Sequence, residues 1–481
     1  MGTTIGIVGA GVGGLATAAR LSSRGYDVEV FEKLAECGGR NHLLEDQGFK
    51  FDMGPSFVLM PDFFEEPFTY CGEDLRDYLD LRVLDPSYKI FYHDGETLTV
   101  YRDSQRTKEE LERIERGAAS AYDNLMNETK RIYEAVRPLL YKSYTSSAVL
   151  NPRYWFLLRK IRALESCWHL AKRYVKSDEL AYALTFQAMF LGVSPYKAPA
   201  FYSMINYADQ VQKIHHPMGG MYQIALALER LANKFGAKFN YNCEVSRIRK
   251  VNGLLILDTA HGEAKFEKVV VNADYAYGQT DLLGRSIPDY EYSCSVYLMY
   301  LGLRRKVNGL AHHNLFFSQD VRRCLREIFD DKVVPDDPSF YVHVPTVTDD
   351  SLAPPGKDLL YILVPVPNLQ NPGEEMANRE ERLREIVFKR ISETLGAEVT
   401  ELTEVGHKFC PQDFTSRYNI KYGATFGLAH TLRQSAFFRP HNQDQQTRGL
   451  YFVGASTQPG GGLPPVLASS RIVADLITGR E

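Results

Sequence analysis

No uninterrupted apolar run in this 481-residue chain reaches the ~18 residues of a membrane span. Any membrane contact is therefore expected to be peripheral. There is no CxxC pair, and the seven cysteines (Cys37, Cys71, Cys167, Cys243, Cys294, Cys324 and Cys410) are odd in number. That usage fits reduced, mostly structural thiols in a cytoplasmic setting and argues against a redox dithiol. No zinc-ligand spacing occurs. His215-His216 and His312-His313 read as isolated pairs with surface or packing roles, so no metal is expected. A formal net charge of -4 gives no overall pull towards nucleic acid. Repeats and low-complexity linkers are also missing. The first strand-like run begins at Ile5, which leaves no room for a signal peptide after Met1.

What remains is a globular composition, 44 % apolar and 24 % charged, long enough for about two or three domains. The 29 Tyr and 26 Phe suit either large apolar cavities or an ordinary aromatic core. Composition alone does not choose between them.

The most informative segment is Gly9-Ala10-Gly11-Val12-Gly13-Gly14, directly after the apolar run Ile5 to Val8. A helix from Leu15 to Ser23 and a strand from Asp27 to Phe31 follow, and Glu32 ends the strand. This is the pattern of an ADP-binding βαβ unit. Gly9 permits the tight turn, and Gly11 lets backbone approach a pyrophosphate. Gly14, with Ala18 a turn later, lets helix and strand pack closely. The helix N-terminus presents free N–H groups to phosphate. Glu32 is placed for ribose hydroxyls and disfavours a 2′-phosphate.

The rest of the chain punctuates this unit. Residues 1–75 and 215–275 read as α/β, with a helix over Met218 to Lys234. Strands are expected at Phe239 to Ile248, Leu254 to Asp258 and Lys268 to Asn272. Residues 76–214 read as a mostly helical insertion, strongest from Thr107 to about 192. Residues 276–440 mix strands (Ser295 to Leu303, Phe340 to Val344) with a helix over Arg379 to Leu395, and Pro354-Pro355-Gly356 marks a turn. Residues 441–481 read as strand, glycine loop, helix. A dinucleotide-binding domain in three pieces, with two modules inserted, follows from this order.

A single GxGxxG implies one dinucleotide. Cys37-Gly38-Gly39-Arg40 places Gly39 and Arg40 against a pyrophosphate, where arginine neutralises charge. Phe51-Asp52-Met53-Gly54-Pro55-Ser56 is a tight loop in which Gly54 and Pro55 could border a flavin ring. Val245 falls where a strand passes near an adenine, or is plain core. The terminal run Gly449 to Pro464 ends an apolar strand in a long glycine loop. Gly454, Gly462 and Pro464 open a helix whose N-terminus can face the pyrimidine end of a flavin and support negative charge there.

Taken together, these stretches resemble the bacterial-type carotenoid desaturase (phytoene and 4,4′-diapophytoene) family, within the FAD-dependent amine oxidase and desaturase superfamily. The likeness runs nearly end to end. It is strongest at Leu450-Tyr451-Phe452-Val453-Gly454-Ala455-Ser456-Thr457 and Pro459 to Gly462. Ser351 to Gly356, Val364-Pro365-Val366-Pro367 and Gln434 to Pro440 add to it. Ala455 stands where amine oxidases carry an acid. Phe51 to Asp62 and Tyr292-Ser293-Cys294-Ser295 look closest to the C30 enzymes. Gln458 replaces a usual histidine and Pro465 a frequent glycine, both near the expected flavin.

The resemblance implies an α/β fold with a discontinuous Rossmann-like, glutathione-reductase-like FAD-binding domain, a mixed-sheet substrate domain and a helical, membrane-facing insertion. It implies FAD as cofactor, a lipophilic polyene as substrate, and a quinone or oxygen as electron acceptor. An isomerase, saturase or terminal oxidase on the same fold stays open, as does a carotenoid-binding protein without activity. No general base stands out. Tyr297, Met299 and Phe317 are candidates for a tunnel wall. Residues 151 to 176 combine both tryptophans, Trp155 and Trp168, with seven basic residues and one acid, Glu165. That is the pattern of an interfacial anchor on a cytoplasmic membrane face, or of a solvated helix packed on the core.

Overall fold

Thr4–Val8 is an apolar strand that pairs in parallel with Asp27–Phe31 on one side and Lys268–Val271 on the other. Leu450–Phe452 and Lys238–Asn240 complete the edges of this five-stranded parallel sheet, which draws on distant parts of the chain. Parallel neighbours need crossovers. The helices Val12–Ser22, Tyr222–Lys234 and Leu463–Thr478 share one core that includes Leu15, Ala18, Leu228 and Val473. A separate core joins Leu255, Leu257 and Phe266 of a three-stranded antiparallel sheet to Val269 and Val271. The computed structural model describes residues 3–145, 151–371 and 376–479. Segment 146–150 of the expected helical stretch, the side chain of Arg153 and the last residue of the terminal segment, Glu481, lie outside the described residues.

The second large sheet is mixed and seven-stranded. Two of its interior strands, Ser295–Leu303 and Asp358–Val366, are apolar along most of their length because both faces are covered. Tyr88–Phe91 and Thr97–Val100 complete it, with the former parallel to His313–Phe316. These two strands fall inside the stretch expected to be mostly helical. Their period-two burial (Tyr88 and Ile90; Leu98 and Val100) is the signal for strand. Helices follow at Ser104–Ile114, capped by Asp103, and Ala118–Val136.

Local backbone chemistry moved several boundaries. Gly219 and Gly220 sit at φ +90° and +93°, so the helix expected from Met218 begins at Tyr222. The strand expected from Phe239 to Ile248 breaks around Asn242, at φ +52°, into Lys238–Asn240 and Val245–Val251. The basic stretch is two short helices, Pro152–Lys160 and Cys167–Lys172, with Arg162 at φ +53° between them. None of the described helices is long and apolar enough to cross a membrane.

Candidate active site

A cavity of about 490 Å³ is lined by residues of both large sheets and of the helical region. Gly9, Gly11, Glu32, Gly39, Arg40, Gly54, Pro55, Val245, Gly454, Gly462 and Pro464 all line it. Gly14 does not. A Cβ on Gly14 would lie 2.2 Å from the Gly9 carbonyl oxygen, so this glycine serves the close approach of helix to strand.

In the polar part of the cavity, two helices begin at glycines. Gly11 precedes Val12–Ser22 and Gly462 precedes Leu463–Thr478, and no side chain caps either. The first N–H groups of Val12–Ser22 have no intrahelical acceptor, and at the second helix, where Pro464 and Pro465 carry no N–H, Leu463 alone offers one. Glu32 is buried; its Oε2 accepts from Ala10 N (2.8 Å) and its Oε1 from Leu34 N (2.9 Å). A carboxylate keeps spare lone pairs after two such bonds. Arg40 Nη1 donates to the Thr425 carbonyl (2.7 Å). Arg40 is half-buried; desolvation lowers its pKa and the nearby Asp274 partly offsets this. Gly54 is fixed sterically: a Cβ there would fall 1.9 Å from the Arg40 carbonyl oxygen.

Asp52, beside Gly54, has a different task. Its carboxylate accepts from Met221 N (2.8 Å) and Tyr222 N (3.0 Å), holding the start of the Tyr222–Lys234 helix. Burial pushes its pKa up to about 6. Asn272 was not singled out in the sequence, yet its Nδ2 donates to the Gly9 carbonyl (3.3 Å) and it lines the cavity. Only its position, after an apolar strand edge, hinted at this.

The apolar part is aromatic. Phe57 lies 4.6 Å from the Phe190 ring and 5.5 Å from Tyr341, centroid to centroid. Val296, Leu298 and Leu363 complete a wall. Of the tunnel candidates, Phe317 lines the cavity, whereas Tyr297 and Met299 do not. Residues along a strand alternate between faces. Tyr297 and Met299 face a separate core with Leu360 and Ile362, so the expectation had the wrong phase.

His430 also escaped the sequence reading. It is buried, its Nε2 accepts from Gly461 N (2.8 Å) and its Nδ1 meets the Leu191 carbonyl (3.1 Å). Burial holds its pKa well below the usual histidine value. It is a neutral brace for the glycine loop. Gln458 turns away from the cavity and clasps Tyr144, accepting from its N (2.8 Å) and donating to its carbonyl (3.1 Å), while Pro465 lines the cavity.

Of the two histidine pairs, His215 is half-buried and the other three pack in the interior, and the pairs are not isolated. His216, His312 and His313 are buried, and the fold brings His216 and His312 together with His343. Neighbouring strands and a return loop produce this, which no local spacing could reveal.

The chain matches the family of flavin containing amine oxidoreductases over residues 12–478. It is 39 % identical to a zeta-carotene-forming phytoene desaturase of Myxococcus xanthus, over 98 % of this chain and 93 % of that one. It is 34 % identical to a 4,4′-diaponeurosporene-forming 4,4′-diapophytoene desaturase of Staphylococcus haemolyticus, over 98 % of each. Among solved structures it is similar in fold to an oxidoreductase of Methanosarcina mazei, at 17 % identity and a TM-score of 0.66, covering 97 % of this chain and 98 % of that one. The match along nearly the whole length shows that the chain belongs to the carotenoid desaturase family of flavin containing amine oxidoreductases.

Proposed function

We propose that this protein is an FAD-dependent desaturase that introduces conjugated double bonds into phytoene or 4,4′-diapophytoene. The observation that carries the proposal is the union, in one cavity, of a glycine-built anion cradle and a long aromatic wall. Two uncapped helix starts and the half-buried Arg40 fit the pyrophosphate and the flavin's electron-rich edge. Glu32 fits ribose hydroxyls. Gly9, Gly11, Gly39, Gly54, Pro55, Val245, Gly454, Gly462 and Pro464 would make the close backbone contacts, and Gly14 would hold the turn in place.

Bound FAD would supply the hydride acceptor. The protein's share is placement. Phe57, Phe190, Leu298 and Leu363 exclude water and align an apolar chain. Tyr361 donates to the Gly54 carbonyl (3.1 Å) and Tyr341 shares a hydrogen bond with His313 Nδ1 (2.7 Å), so both hydroxyls are tied back. Burial raises both pKa values, which keeps them neutral. His430 has both nitrogens engaged and is not free to take a proton. A substrate cation spread over a polyene is acidic, so its proton could pass to water at the cavity mouth or to the bound flavin without a dedicated side-chain base.

The helical region supports a peripheral membrane role. Trp155, Phe156 and Leu164 are 59 %, 73 % and 83 % exposed, beside exposed Arg159 and Lys160. Trp168 instead packs on the rings of Tyr182 (4.6 Å) and Tyr196 (4.8 Å). Exposed apolar side chains with basic neighbours in sequence suit an interface where polyenes dissolve. A membrane quinone or oxygen would then reoxidise the flavin.

Chromatography of products from FAD-loaded protein in liposomes, given phytoene, 4,4′-diapophytoene or an alkyl diamine in parallel, tests the proposal. The expected result is a more unsaturated polyene from at least one carotenoid and no turnover of the amine. Amine oxidation, or a double-bond count unchanged with both carotenoids, would overturn it.

A further inference from the structure

Away from the cavity, three histidines meet in the interior. His312 precedes the strand His313–Phe316 and His343 ends the strand Phe340–His343, and these strands pair. His312 Nε2 and His343 Nε2 face each other at 2.9 Å. His216 comes from the short strand His215–Pro217, just before the turn that starts Tyr222–Lys234. One ring nitrogen of each of the three lies within 4.8 Å of the others. Their exposures are 0 %, 2 % and 1 % for His216, His312 and His343.

Two features point to a ligand. First, His216 is wholly buried, yet its Nδ1 has no hydrogen-bond partner and its Nε2 meets only Asp349 Oδ2, at 3.5 Å. A buried imidazole nitrogen without a partner demands an explanation. Second, outer partners stand where they would aim the inner nitrogens. Thr348 Oγ1 lies 2.8 Å from His312 Nδ1, which leaves His312 Nε2 turned into the cluster. Asp349 Oδ2 lies 3.5 Å from His216 Nε2 and pairs weakly with it. Histidine ligands of metals are commonly braced by a hydroxyl, carbonyl or carboxylate on the far nitrogen.

We propose that His216, His312 and His343 bind a divalent transition-metal ion, most suitably Zn²⁺. Imidazole nitrogens suit this class, and Zn–N bonds run ~2.0–2.1 Å. Tetrahedral ligands at that range stand about 3.3 Å apart, so the 2.9 Å pair must open by a few tenths of an ångström and nitrogens now up to 4.8 Å apart must close by as much as about 1.5 Å. Asp349 supplies negative charge close by, which a dication in an apolar interior requires. None of the three histidines lines the cavity. The ion would be structural. It would fasten the segment that begins the Tyr222–Lys234 helix, hence the nucleotide-binding sheet, to the seven-stranded sheet behind Phe57, whose ring stacks on His313 at 3.9 Å.

The test is elemental analysis of the full-length, tag-free, flavin-loaded protein, purified without chelator and desalted after incubation with Zn²⁺, together with zinc-edge X-ray absorption. The expected result is about one zinc per chain with nitrogen scatterers at ~2.0 Å and an imidazole signature. In His216→Gln and His343→Ala the zinc content should fall at least about tenfold, while His407→Gln, at a half-exposed site paired to Asp46, should keep it. Wild-type protein that holds less than about a tenth of an equivalent overturns the proposal. So does zinc that persists in both variants or shows no imidazole scattering. Should the variants fail to fold, the wild-type metal content and absorption spectrum decide.

Discussion

Gly54→Ala is a sharp probe of the polar part of the cavity. Its added Cβ would lie 1.9 Å from the Arg40 carbonyl oxygen and 3.0 Å from the Arg40 carbonyl carbon. Ordinary non-bonded separation is ~3.2 Å or more, so the two backbones must part by roughly 1.3 Å. Arg40 cannot move that far and keep its 2.7 Å bond to Thr425. Losing a charge-assisted contact from a placed guanidinium costs about 1.5–3 kcal/mol. That corresponds to ~10–150-fold weaker FAD binding. Titration of apoprotein with FAD, followed by flavin fluorescence, measures this directly. Arg40→Ala should weaken binding by a similar factor. Gly406→Ala is the control, because the nearest atoms to its Cβ lie 3.9 Å away. Gly54→Ala protein that binds FAD within about threefold of wild type would refute the reasoning.

Leu298→Ala should alter the distribution of desaturation products while leaving FAD affinity unchanged, as chromatography and FAD titration would report. Met299→Ala, one residue along on the opposite face, should instead cost about 2–4 kcal/mol in denaturant unfolding with products unchanged. Replacing Trp155, Phe156 and Leu164 together by Ser should lower affinity for anionic vesicles at least ~30-fold in a sedimentation assay, without loss of bound flavin. Asp209 is buried with one oxygen unpartnered, facing Gln187, Tyr88, Tyr122 and Lys213, and burial raises its pKa to about 7. The folded state therefore keeps a proton that the unfolded state releases above about pH 4. Its contribution to stability then falls as pH rises from about 4 to about 7. Asp209→Asn should raise the melting temperature above pH 7 and match wild type near pH 4.

The elements that carry local chemistry were legible in the sequence. The turn at Gly9 to Gly14 and the strand Asp27–Phe31 could be read because glycine and apolar periodicity act over a few residues. The stretch Ser295–Leu303 was also visible as a strand, yet its face was not: apolar residues on both sides erase the alternation that would have separated Leu298 from Met299. The brace at His430 and the histidine cluster depend on loops that return from distant sequence. Asp52 read as part of a flavin-facing loop, while its carboxylate holds a helix start 169 residues away. Gln458 looked like a site residue by position and turned out to clasp Tyr144 instead.

The most direct test of the central claim is an anaerobic single turnover. FAD-loaded protein in liposomes is mixed with phytoene or 4,4′-diapophytoene, and the oxidised-flavin band and the polyene spectrum are followed together. The account predicts that the flavin band bleaches as red-shifted polyene bands grow, one new double bond for each flavin reduced. Flavin that stays oxidised with both substrates, while the protein still binds them, would contradict it.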